Sequence, residues 1–523
     1  MMSYLNINWK KSVVLLTYPL LLAFVLEITL QEWGFSSFPN LLENILFLFI
    51  VLLVINQLAV LKFGRRLVNL VIILYYAFLF IETGLYLLFQ TRLNAAYVYV
   101  MFNTHYGEVS EFSSVYYKHS LNWLLLFFIP LFGSFSKKVN KQAKFKTKGL
   151  VYSSIIILII LSVLKYSNLI KWNLPYVTFK SYYQYQKQLK AFSDFNNEKI
   201  DIKTKLVTEN DAIVVIVGES TTSKHMGIYG YPRNTTPRLN TLSESLIIYK
   251  NVISSHVYTT ASIYDIFTLA NYENSEVTVP VINYLKNAGY EVFWLSNQRP
   301  VGLYDNLVSR LASAANESLF LSYNDFRHNT SYDEVLLPIL EEKLLVKGKK
   351  VIFLHLIGSH YDYKKRYPIE FNKFSSENKS VKNKMIDQYD NAILYNDSIV
   401  AEIVKIVSKK DEKSAVLYFS DHGEELFDVS NYFGHFSDKP TSTMYEVPFL
   451  VYMSPTFEKP NDFIIDESRA YMLDDFSHSL THFMGIESEL LEKSRSVFSK
   501  SFKARKRIVQ DSVDFKYFKS KEK

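Results

Sequence analysis

An apolar run from Ala415 to Phe419 ends in an adjacent acid and imidazole, Asp421 and His422. Two further runs of the same make end in comparable groups. "AIVVIVGES" delivers Glu219, and "KVIFLHLIGSH" delivers His360. Carboxylates and imidazoles gathered in this way are metal ligands. Asp and Gly are also good turn formers, so Asp-His-Gly taken alone would suit a turn that leaves a sheet. Four such residues at equivalent strand ends are more than turn chemistry accounts for.

The elements that must position them are legible in the same stretches. Each strand is a continuous β-branched and aromatic run, the pattern of a strand buried on both faces of a parallel sheet. "YEVFWLSN" repeats it, and helical stretches such as 278–288 and 384–407 lie between. The alternation predicts an α/β sandwich around a mainly parallel central sheet. In such sheets ligands bind outside the carboxyl ends of the strands, where these four residues fall. His355, inside its apolar strand, reads as a core histidine.

The first 170 residues are of different material. Long apolar runs alternate with short basic clusters, and this places the chain's net charge of +7 beside a membrane rather than along a nucleic acid. Five runs approach the roughly 20 residues that a bilayer requires. They cover 12–30, 41–61, 67–89, 121–132 with its flanks, and 149–164, the fourth being short and interrupted by Pro130. Lys10 and Lys11, then Lys62, Arg65 and Arg66, then six lysines from Lys137 to Lys148 occupy alternate loops. The positive-inside rule puts those loops in the cytoplasm and everything after Lys165 outside. The expected organisation is a five-helix membrane domain over 1–168, an interfacial linker over 169–210 and an extracytoplasmic catalytic domain over 211–523. An enzyme so placed has no access to cytoplasmic nucleotides and must draw an activated group from something present there, such as a phospholipid. "YVMFNTHYGEVSEF", between the third and fourth spans, offers either a solvated helix or a polar wall for a lipid headgroup. The chain has no cysteine, which excludes disulfides, thiolate metal sites and cysteine nucleophiles.

Four stretches in order, "VVIVGESTTSKHMGIYGYPRNTTPRL", "HLIGSHYDYKKRYP", "YDNAILYNDSIV" and "FSDHGEEL", resemble the lipopolysaccharide phosphoethanolamine transferases. These are inner-membrane members of the alkaline phosphatase and sulfatase superfamily. The resemblance implies a bacterial inner-membrane protein with its catalytic domain in the periplasm. It implies zinc, one ion with a second possible, held by Glu219, Asp421, His422 and a nucleophilic threonine. Thr259 falls at the matching place in "NVISSHVYTTASIYDIF", with Thr260 as the alternative. His360 and His435 match positions that bind the transferred phosphate or a second zinc. Asn103 and Glu111 match headgroup-binding positions of the membrane loop, although Gly107 stands where a threonine is usual. The implied reaction is ping-pong. Thr259 attacks phosphatidylethanolamine, diacylglycerol leaves, and an acceptor hydroxyl or phosphate then displaces the threonine.

The sequence also departs from that family. Lipid A-directed members carry disulfides, a histidine before Val-Pro and a Pro-Cys-Met after the nucleophile. Here there is no cysteine, Tyr445 precedes Glu446-Val447-Pro448, and Tyr264-Asp265-Ile266 replaces Pro-Cys-Met. These differences favour a core sugar of lipopolysaccharide, or another periplasmic glycan, over lipid A as acceptor, and weaken the case for a second tightly held zinc. A phosphoglycerol transferase drawing on phosphatidylglycerol is the alternative within the superfamily. A sulfatase would need a formylglycine precursor in a Cys/Ser-x-Pro-x-Arg context, which is missing. A catalytically inert scaffold would tolerate loss of Thr259.

Overall fold

The computed structural model describes residues 9–30, 37–58, 61, 63–89, 119–129, 147–166 and a few between 176 and 183. It then describes 202–521 apart from 275–278, 299–306, 322–330, 377–379, 411 and 438. The chain divides into two compact units.

The N-terminal unit contains α1 (Trp9–Leu30), α2 (Ser37–Leu58), α3 (Gly64–Phe89) and α4 (Thr147–Tyr166). Tyr76 on α3 donates to the Leu15 carbonyl on α1 at 2.6 Å, and Gln57 on α2 donates to Ser153 on α4 at 2.9 Å. Leu21, Leu70 and Leu158 are among many large apolar side chains left exposed, as suits a lipid-facing surface. Three helices among the described residues are long and apolar enough to cross a membrane, over Phe38–Leu58, Arg66–Leu87 and Gly149–Tyr166. The first apolar helix, Val13–Thr29, is shorter than these by the same measure. Of the fourth expected span the described residues show a 3-10 helix over His119–Phe128. Its ten residues rise only about 20 Å at 3-10 geometry, short of the ~30 Å hydrocarbon core. The described residues therefore do not show all five expected spans. Most of the expected interfacial linker lies outside the described residues.

The second unit is built on a seven-stranded sheet. Its strands are β1 (Ala212–Gly218), β2 (Leu246–Ile248), β3 (Glu291–Ser296), β4 (Glu317–Phe320), β5 (Lys350–His355), β6 (Ser414–Ser420) and β7 (Phe449–Met453). The spatial order is β2-β7-β6-β1-β5-β3-β4. The five strands from β6 to β4 run parallel, and β7 is antiparallel to both its neighbours. The sheet is thus mixed, with the expected parallel core. Every residue of β1, β5 and β6 is buried, which explains why these runs carry no polar alternation.

Three helices pack on this sheet near its functional edge. They are α5 (Thr259–Phe267), α6 (Val381–Ser408) and α7 (Phe476–Phe483). Tyr389, Ile393, Val400 and Val404 of α6 pack with Val214, Ile216 and Val416 on one face of the sheet. On the other face Phe267 of α5 meets Trp294, Phe353 and Phe419 edge-on or tilted, at centroid distances of 5.3–6.2 Å. Phe476 of α7 closes this aromatic layer. The sandwich therefore anchors the C-terminal end of α5 in the core and leaves its first residue, Thr259, beside the strand ends.

Candidate active site

Strand register creates the site. β1 and β6 pair in parallel with Gly218 opposite Ser420, so the next residues of each, Glu219 and Asp421, emerge side by side. The Asp421 amide donates to the Gly218 carbonyl at 3.1 Å, and the Ser220 amide donates to Asp421 Oδ1 at 3.2 Å. Ser220 takes a left-handed conformation, φ 53°, that a residue with a Cβ adopts only when its surroundings impose it. The imposing group is Tyr389 on α6, whose hydroxyl donates to the Ser220 carbonyl at 2.7 Å and accepts from the Thr222 amide at 3.0 Å. From the other side the loop after β5 presses on Glu219. A Cβ at Gly358 (φ 52°) would stand 2.8 Å from the Glu219 nitrogen, so only glycine fits. Buried Asp333 holds that loop by accepting from the Ile357 and Gly358 amides at 2.9 Å each.

Thr259 is the first residue of α5, whose exposed N–H groups favour negative charge. Its Oγ1 donates to Glu219 Oε2 at 2.9 Å. The same oxygen accepts from Gln298 Nε2 at 3.1 Å, and Ser220 donates to Oε1 at 2.8 Å. His422 Nδ1 donates to the Gly423 carbonyl at 2.9 Å, an arrangement that fixes the tautomer and leaves Nε2 bare. Nε2 lies 3.2 Å from Glu219 Oε1 and 3.6 Å from Asp421 Oδ2. Both Nε2 and Asp421 Oδ2 are buried with no hydrogen-bond partner. Glu219, Asp421 and His422 each offer a ligand atom within 4.8 Å of the others.

Unsatisfied buried polar atoms are costly, and two of them converging with a second carboxylate fit a cation. The electrostatics agree. Burial, then the charge of Glu219, pushes the Asp421 carboxyl up to about 8. Burial opposes a charged His422 ring, but Asp421 and Glu219 outweigh it and hold the ring up at about 10. Burial also works against charged Glu219, yet the adjacent His422 ring keeps that carboxyl well below its ordinary range. Protons thus crowd into a pocket whose donor set, two carboxylates and an imidazole nitrogen, suits zinc.

A second group of three adjoins the first. His422, Glu424 and His435 also offer atoms within 4.8 Å of one another. His435 Nδ1 lies 2.9 Å from Glu424 Oε2, and Tyr363 donates to Oε1 at 3.0 Å. The His422 and His435 rings are 4.3 Å apart. His360 sits in the loop after β5, where its charge acts on Glu219. His355 is a core group, its ring against Trp294 and its Nδ1 3.2 Å from Ser296 Oγ, and burial lowers it to about 4. Tyr445 packs against Phe515 and Phe518, and Asp265 accepts from Ser255 and pairs with His256 at 3.1 Å. Asn103 and Glu111 lie outside the described residues. Glu424, Gln298, Tyr363 and Asp333 join the site without having been expected from the sequence. Glu424 is two residues beyond His422, and Gln298 two beyond the end of β3. The strand-end rule, extended by those few residues, reaches both.

The sulfatase family model matches residues 211–486, more than half of the chain. The chain belongs to the sulfatase family. The match covers the whole sheet and both groups of candidate metal ligands. The chain is also 32% identical over 359 residues to phosphoethanolamine transferase EptC of Escherichia coli (strain K12), a similarity covering 64% of this chain and 62% of that one. It thus spans less than two thirds of that relative's length. The C-terminal periplasmic domain of Escherichia coli EptC in complex with Zn superposes with a TM-score of 0.58 at 30% identity, over 60% of this chain and 96% of that one. The integral membrane lipooligosaccharide phosphoethanolamine transferase A of Neisseria meningitidis aligns over 93% of this chain and 98% of its own, with a TM-score of 0.70. At 20% identity that likeness shows the fold, membrane portion included. The resemblance read in the four motifs is borne out.

Proposed function

We propose that this protein transfers phosphoethanolamine from phosphatidylethanolamine to a lipopolysaccharide acceptor, a core sugar in preference to lipid A. The observation that carries the reading is the hydrogen bond from Thr259 Oγ1 to Glu219 Oε2 at a helix N-terminus, beside the unpartnered atoms of Asp421 and His422. The names of the relatives and the Zn in a related periplasmic domain support it. Glu219, Asp421, His422 and Thr259 would hold one zinc, and His422, Glu424 and His435 are where a second would bind. Zinc bound there supplies a lowered hydroxyl pKa and a positive charge for the reacting phosphate.

Thr259 releases its proton along the hydrogen bond to Glu219, and its oxygen bonds to phosphorus. The phosphorus–oxygen bond to diacylglycerol breaks, and that alcohol leaves with a proton. The phosphoethanolamine then rests as an ester on Thr259, with His360 and His435 placed to bind its oxygens. Asn103 and Glu111 are assigned to the headgroup. An acceptor oxygen attacks the same phosphorus and restores the threonine. The topology in this reading is five spans in the bacterial inner membrane with the catalytic unit, 211–523, in the periplasm. The three basic loops support it.

Diacylglycerol release by the zinc-loaded full chain tests the donor. Release from phosphatidylethanolamine but not phosphatidylglycerol is expected. The reverse preference would assign a phosphoglycerol transferase, and release from neither would overturn the reading.

A further inference from the structure

Residues 505–521 lie beyond the stretch matched by the sulfatase family model, yet they fold back onto the site. Arg505 anchors the segment by pairing with the buried Asp474 and Asp475. A hairpin follows, with Val509 opposite Val513, and then a short helix, Lys516–Lys521. Gln510 and Asp511, at the hairpin turn, both take left-handed conformations, φ 49° and 59°. The Ser512 amide closes the turn by donating to the Val509 carbonyl at 3.3 Å. Turns with two such residues favour Asn-Gly, and two consecutive residues with a Cβ stay there only when their surroundings impose it.

The turn touches the loop that delivers Thr259. Tyr258, at the N-cap of α5, makes no side-chain capping bond, so the loop over 254–258 sets where Thr259 begins the helix. The Gln510 amide donates to the Ser255 carbonyl at 2.9 Å. Asp511 faces His256, whose Nε2 lies 4.0 Å from Asp511 Oδ1 and 3.1 Å from Asp265 Oδ2 on α5. Burial opposes a charged His256 ring, but Asp265 and Asp511 outweigh it and hold the ring above its ordinary range. Further along, Phe515 and Phe518 pack on Tyr445, and Lys519 donates to Glu446 at 2.9 Å. The Tyr445 carbonyl accepts from the Ser254 amide at 2.8 Å, and the Met444 carbonyl accepts from the Gly423 amide, directly after His422, at 2.8 Å. The Ser254 hydroxyl donates to the Asp421 carbonyl. One segment thus grips both the loop before the nucleophile and the loop behind the candidate ligands.

We propose that residues 505–521 are a positioning clamp that fixes Thr259 against Asp421 and His422, a role that rests on the transfer reaction proposed above. Gln510 and Asp511 are its positioning residues: they touch the loop before Thr259, and they act on the reaction only through that loop. The strain at the turn is what the grip requires, because the left-handed pair aims the Gln510 amide at Ser255 and the Asp511 carboxylate at His256.

Amide hydrogen exchange of the zinc-loaded full chain, with the rate of its adduct formation from phosphatidylethanolamine, tests the clamp. Gln510→Pro removes the amide that holds Ser255 and forbids the left-handed conformation. Exchange over 254–260 should quicken about tenfold while β1, β5 and β6 keep theirs. Adduct formation per zinc-loaded molecule should slow about tenfold with the lipid KM unchanged. Asparagine at the same position, Gln510→Asn, keeps the amide, suits a positive φ and should recover both. Asp511→Ala removes a side chain that is 72% exposed, so folding is spared, and should shift exchange and rate about threefold each. Unchanged exchange over 254–260 in these two disruptive variants would overturn the proposal. So would a slowing wholly accounted for by lost zinc. Quickened exchange in a series whose unsubstituted chain forms no adduct would uphold the clamp and overturn the transfer reaction instead.

Discussion

Two buried histidines of the second unit, His225 and His422, each lie between two carboxylates. His225 has both nitrogens engaged, Nδ1 at 2.6 Å from Asp390 and Nε2 at 3.2 Å from Asp428. Asp390 in turn accepts from Tyr231 and Arg233 at 3.0 and 2.8 Å, and Arg233 continues to Asp387. Every charge in that cluster has a counterpart. His422 sits between Glu219 and Asp421 with Nε2 and an Asp421 oxygen bare. The ingredients are the same, and saturation separates them. A saturated buried network stabilises one conformation, whereas an unsaturated one holds unmet binding capacity that a ligand can use.

Parallel substitutions should break this pair apart. Asp421→Asn should lower turnover on the order of 10³-fold and strip zinc from the purified chain, read by elemental analysis. Asp390→Asn should leave zinc content unchanged but cost about 3–5 kcal/mol in chemical unfolding, because a buried ring loses its charged partner. Loss of zinc from the Asp390 variant would erase the distinction. The next effect is on pH. Burial disfavours a charged His225, but Asp390 and Asp428 outweigh it and hold the ring up at about 9, from an ordinary 6.5. The stability this contributes is fully present below pH 6.5 and is lost as pH rises through 9. It amounts to about 3 kcal/mol, and it should be missing from the same titration of His225→Asn. An identical pH slope in the two proteins would contradict it. The smallest effect concerns Gln298. Gln298→Ala removes one bond to Glu219 Oε2 and should slow turnover about tenfold with zinc content intact.

Much of this site is legible in the amino-acid sequence. Glu219, Asp421 and His422 follow continuous apolar runs, and the parallel register that joins them is a rule of α/β sheets rather than a property of this chain. The helix expected at 384–407 forms as Val381–Ser408. The parts that are not legible depend on three-dimensional closure. Asp333 and Tyr389 hold the site through loop amides and carbonyls, and nothing in their local sequence marks them. Of the span expected over 121–132 with its flanks, the described residues show a 3-10 helix over His119–Phe128, because apolar composition does not specify helix type.

The most direct test of the central claim is the intact mass of the zinc-loaded full chain after incubation with phosphatidylethanolamine and no acceptor. The account predicts a gain of one phosphoethanolamine that maps to Thr259, persists in Thr260→Ala and vanishes in Thr259→Ala. An adduct that survives Thr259→Ala, or no adduct in a chain that turns over, would contradict it.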